Sequence, residues 1–125
     1  MEIGRVYRKG GVLVDLTEWA SAETGFMGGF RCPVAVTASV WAMIEAIPQT
    51  PSGRCQDVRG RSHDVLFLAM LAIRPRVRGD RQERARFEVI LPTARSRKRV
   101  HVFEIVMGPG DEGEVVVTIQ QPGEE

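Results

Sequence analysis

Residues 87–119, FEVILPTARSRKRVHVFEIVMGPGDEGEVVVTI, decide the fold class. Apolar side chains recur there with the two-residue period of a strand. Phe87, Val89 and Leu91 alternate with Glu88 and Ile90, and Val100, Val102, Phe103, Ile105 and Val106 mark a second run. Val115 to Ile119 makes a third, with Val115, Val117 and Ile119 on one face. Between the last two runs lies GPGDEG (108–113), a glycine-rich hairpin signal. The three runs predict a three-stranded antiparallel meander.

Upstream the period changes. DVLFLAMLAI (64–73) is apolar almost all round and rich in Leu, Ala and Met. That composition predicts a fully buried helix, starting near Ser62 or Asp64 and stopped by Pro75. A second helix is predicted over Ala38–Ile47, with Thr37 as N-cap and Pro48 as terminator. Its apolar residues Val40, Trp41, Ile44 and Ile47 recur at three or four. Pro33 to Val36 reads as extended, and PQTPSG (48–53) as a loop. Near the N-terminus, Val12–Val14 is a short strand. Asp15 and Thr17 can cap a short helix carrying Trp19, and Gly25 suits its C-terminal end. Helices segregated from a C-terminal sheet define an α+β class: a short N-terminal strand, two or three helices, then the meander. One domain over residues 1–125 is expected.

Composition narrows the function classes. Apolar residues make up 43% and charged residues 26%, a balance that supports a packed core without metal or disulfide. The longest apolar run, Val65–Ile73, is less than half the roughly 20 residues of a membrane helix. Met1–Arg8 is basic but no apolar segment follows it. A cytoplasmic protein without membrane contact is therefore expected, with Cys32 and Cys55 as reduced thiols.

Charge is segregated along the chain. Residues 74–101 hold ten Arg or Lys against Asp80, Glu83 and Glu88, whereas residues 102–125 hold six acids and no Lys or Arg. Pairing of the two segments in one sheet would cancel part of this. The basic residues cluster as Arg74, Arg76 and Arg78, and as Arg95, Arg97, Lys98 and Arg99. At the ends or in the loop of one hairpin, these clusters could meet as a positive patch. The planar forks of arginine suit phosphate or carboxylate, so nucleic acid and an acidic protein are both candidate ligands. The loops lack the aromatic residues that a single-strand binder uses.

No catalytic constellation stands out. His63 and Asp64 are neighbours on a helix and diverge, and Asp64 suits a cap or a first-turn acid. His101 lies between Val100 and Val102 and should point away from the core. Cys32, Cys55, His63 and His101 suffice by count for a zinc ion, but their spacing is not that of a zinc site. Either thiol with either histidine would make a nucleophile and base only if the fold joined them. GPGDEG lacks the Lys-Ser/Thr of a phosphate loop, and its acids would repel phosphate. No catalytic residue, metal site or cofactor is assigned.

Three stretches together resemble a known family: GVLVDLTEWA with CPVAVTASVWA (11–41), QDVRGRSHDVLFLAMLAIR (56–74), and GPGDEGEVVVTIQQPGE (108–124). The family is one of small proteins of unknown function, common on bacterial plasmids, integrative elements and phages. The resemblance implies a genetic setting and no catalytic residue. Its pattern has an apolar or aromatic residue where this chain has His63, which argues against a shared catalytic histidine. The Arg-rich 74–99 region looks like this member's own elaboration.

The leading expectation is thus a non-enzymatic accessory protein of a mobile element that binds a host or element protein, in counter-defence or regulation. A nucleic-acid-binding module is the alternative, and a small enzyme the third. A homodimer through an edge strand of the meander is also open.

Overall fold

The computed structural model describes residues 5–8, 11–24, 30–51, 53–76, 83–110 and 113–124. It contains β1 (Arg5–Arg8), β2 (Gly11–Asp15), α1 (Thr17–Thr24), β3 (Val34–Thr37) and α2 (Ala38–Glu45). These are followed by α3 (Val58–Ile73), β4 (Glu83–Ile90), β5 (Val100–Pro109) and β6 (Val115–Gln120). The class is α+β, as the residue periods predict. Gly25 and Arg78 lie outside the described residues.

The meander needs correction. Strands β4, β5 and β6 do pair antiparallel in sequence, but they do not stand alone. β3 adds to β6 in parallel, and the β1–β2 hairpin continues from it. Among the described residues the result is one six-stranded sheet, ordered β1-β2-β3-β6-β5-β4. The N-terminal strand is therefore a hairpin, and the extended Pro33–Val36 stretch supplies an interior strand. Parallel pairing over some eighty residues leaves no local turn signal, so sequence periodicity could not reveal it.

All three helices cover one face. Val14, Val36, Phe87, Phe103, Ile105 and Ile119 point to this face and form one core with Leu16, Val40, Ile44, Leu66, Met70 and Ile73. Local chemistry sets the helix ends. Asp15 Oδ1 accepts from the Thr17 amide at 2.9 Å and starts α1. Thr37, extended at φ −68° and ψ 159°, accepts from the Val40 amide and caps α2. Its hydroxyl also donates to Glu124 at 3.0 Å, which ties the C-terminal segment to this cap.

α3 begins earlier than its apolar pattern predicts. Asp57 accepts from the Gly60 amide at 2.6 Å, so the helix starts at Val58 rather than near Ser62 or Asp64. Nor is it fully buried, since Asp64 and Leu71 are exposed. A single helix laid on a sheet has an outer side, whatever residues occupy it.

Among the described residues, the other face of the sheet carries no helix. There, on β5, Glu104 is opposite Arg86 of β4 on one side and Gln120 of β6 on the other. Its carboxylate accepts from Arg84 Nη1 at 3.2 Å, Arg86 Nε at 3.4 Å and Gln120 Nε2 at 3.0 Å. This is the cross-strand cancellation of basic and acidic segments that pairing in one sheet implies. Glu104 is buried beneath arginines whose side chains stay 45% and 66% exposed, so solvent screens much of the attraction.

Candidate functional site

A cleft of about 480 Å³ opens where the first turns of α3 meet the connection between β4 and β5. One wall carries Cys55, Gln56, Asp57, Arg61, His63 and Asp64. The other carries Ile90, Leu91, Pro92 and Arg99. Apolar and polar groups thus share one concavity, as in ligand clefts generally.

The α3 wall is fixed by Arg61. Its guanidinium is buried and donates from Nε to the Ile44 carbonyl at 2.8 Å and from Nη2 to the Met43 carbonyl at 2.9 Å. Nη1 reaches Gln56 Oε1 at 2.5 Å. Carbonyls at the C-terminal end of a helix run short of backbone donors, and at the end of α2 Arg61 donates to two of them. Burial pushes the Arg61 pKa down from its ordinary value, and Asp64 partly offsets this. Arg61 is thus committed to structure although it borders the cleft. Sequence reading missed it, because a capping arginine has no signature until two helices are placed together.

His63 stacks on Phe67, one helical turn away, with centroids 5.7 Å apart. Cys55 and His63 border the same cleft, whereas Cys32 packs against the core and His101 faces the core side of β5. His101 therefore does not point outward as its neighbours suggested. Phe103 and Ile105 set the inward face of β5, and His101 shares their parity; Val100 and Val102 are exposed instead. His101 Nε2 lies 3.1 Å from the Lys98 carbonyl. Among the described residues, no three His, Cys, Asp or Glu side chains lie close enough to hold a metal ion, so the four candidate zinc ligands are not gathered.

Both thiols are free, and their settings differ. Burial raises the Cys32 pKa, which lowers its thiolate fraction, while Cys55 is exposed. Iodoacetamide at pH 8 is expected to label Cys55 well before Cys32, as read by peptide mass spectrometry. Equal rates would show that the Cys32 environment opens in solution.

The basic clusters separate. Arg95, Arg97, Lys98 and Arg99 are all exposed in the β4–β5 connection, beside the start of α3. Arg74 is exposed just past the other end of α3, and Arg76 closes the 3-10 turn that follows. A sixteen-residue helix holds the two ends roughly 24 Å apart, so one chain does not join them in a single patch. The Arg95–Arg99 cluster does have apolar neighbours. Ile90 is 65% exposed, Val100 42% and Val102 38%, all on the helix-free face of the β4–β5 hairpin.

A helix-backed mixed sheet with an open face and a cleft at one end is the class of protein these observations define. Its family is now clear: residues 7–125 match the model of a family of unknown function, DUF6573, and the chain belongs to that family. Neither the curated proteins nor the solved structures yield a match. Among the described residues, no helix is long and apolar enough to cross a membrane.

Proposed function

We propose that the chain is a non-enzymatic protein that binds a partner protein at the cationic end of its sheet, recognising an acidic segment that carries apolar side chains. The exposure of Ile90 beside Arg99 carries this reading. An isoleucine two-thirds in water, with Val100 and Val102 next to it, is an apolar patch that monomers generally cover or use. The cationic rim supplies charge complementarity, which steers encounter and selects acidic partners. The resemblance to proteins of plasmids, integrative elements and phages supports a host or element protein as the partner, in counter-defence or regulation, with action in the cytoplasm.

The test compares capture from host lysate by the wild-type chain with capture by Ile90→Asp and Arg99→Glu. Both side chains are exposed, so folding is expected to survive, as circular dichroism would check. The reading expects at least one specific partner whose capture falls on the order of tenfold in each variant. Indistinguishable capture by all three chains, or no specific partner under several conditions, would remove it. Gel shifts at two salt concentrations examine nucleic acid as the alternative, with Arg95, Arg97, Lys98 and Arg99 as its contacts. Tight, salt-sensitive binding there would replace the protein-partner reading.

A further inference from the structure

We propose that two copies of the chain join through their β4 edges, antiparallel about a two-fold axis at Phe87, with Arg86 of each copy opposite Glu88 of the other. β4 ends the sheet order and pairs with β5 through eight residues in unbroken register, without proline or bulge. Such an edge is a template for another strand.

The backbone decides which residues meet. Leu91 donates to the Arg99 carbonyl at 2.7 Å, so residue 91 turns its polar groups toward β5. Alternation then turns residues 83, 85, 87 and 89 the same way, and Arg84, Arg86, Glu88 and Ile90 outward. A two-fold antiparallel pairing must set these outward residues opposite one another. Three centres engage most of the strand. An axis at Arg86 opposes Arg86 to itself and Arg84 to Glu88 twice, and an axis at Glu88 opposes Glu88 to itself and Arg86 to Ile90 twice. An axis at Phe87 opposes Arg86 to Glu88 twice and Arg84 to Ile90 twice. Like charges directly opposed are unfavourable and unlike charges favourable, and of the three only the Phe87 axis makes two unlike pairs with no like pair, so it is selected. Charges on an edge usually discourage pairing; this order discourages foreign strands and accepts its own copy.

The side chains are placed for this. Arg86 is 66% exposed and meets Glu104 through Nε, leaving its outer nitrogens for a second carboxylate. Glu88 is exposed and has no charge partner among the described residues.

Sedimentation velocity of the full chain at about 0.15 M salt tests the proposal. The wild type is expected to show a concentration-dependent dimer. Glu88→Arg opposes arginine to arginine twice, and should raise the dissociation constant by about tenfold or more. Register is read separately, in chains with Cys32→Ser and Cys55→Ser. Mixing Arg86→Cys with Glu88→Cys chains should give a mixed disulfide, because opposed Cα atoms lie about 5.5 Å apart. Glu88→Cys alone should cross-link poorly. A wild type that stays monomeric, an unchanged dissociation constant for Glu88→Arg, or dominant 88–88 cross-links would each overturn the proposal. The partner-binding reading fails separately: Ile90→Asp should lower capture about tenfold yet leave the dimer intact, since it sets an acid opposite Arg84.

Discussion

Arg61→Ala is expected to destabilise the protein by about 3–5 kcal/mol in urea denaturation. Arg61 has few exposed atoms, yet three of its nitrogens donate hydrogen bonds. Removing it takes the donor from the Ile44 carbonyl, whose bond is buried, and from Gln56 Oε1, half-buried on the cleft wall. Each such loss costs about 1–3 kcal/mol. The Met43 carbonyl is less exposed to loss, because the Ala46 amide also donates to it at 3.3 Å. A cavity the size of the side chain adds to the cost. Arg61→Lys separates charge from geometry. A lysine keeps the charge but replaces the fork with one point donor, so it should recover less than half of the loss. Full recovery by lysine would show that charge alone matters, and a loss under about 1 kcal/mol would show that the end of α2 is satisfied by water. The effect should reach the cleft too, because Gln56 lies on the same wall.

How legible the fold was follows from whether each signal is local. Thr37 before an apolar run and Pro48 after it predict α2 well, and the structure ends the helix only at Glu45. The GPGDEG turn carries its own signal, and Gly113 takes a positive φ of 82° there. The start of α3 is not legible from period because VRGRS (58–62) has no apolar repeat and carries Gly60, which lowers helix propensity; Asp57 as N-cap is the available sign. His101 was misplaced through a choice between two parities in VHVFEI. The larger Phe103 and Ile105 win the core, which valines on both sides of His101 concealed. Of the site, the exposed cations of residues 95–99 were legible as a run. The cleft was not, because it joins residues 55–64 to residues 90–99 across α3 and β4, and no local pattern encodes that contact.

Phe103→Ala is the second large effect expected, at about 3–5 kcal/mol. Phe103 is completely buried on β5 and meets Phe87 edge to face, with centroids 6.0 Å apart. The range depends on how far the surroundings can collapse into the space left. Here little can move. β5 is an interior strand held by β4 on one side and β6 on the other. Above it, α3 is anchored at its start by the Asp57 cap and by Arg61 bonded to α2. A cavity between two such supports stays open, which places the cost in the upper half of the range. Phe103→Leu fills most of that volume and should cost less than half as much. Val102→Ala is the control from the same strand. Val102 points to the helix-free face and is 38% exposed, so its loss should change stability by no more than about 0.5 kcal/mol. Urea midpoints of the three variants measure this directly. A small loss for Phe103→Ala would mean that α3 can settle onto the sheet, and the cleft at its N-terminal end would then have to change shape with it.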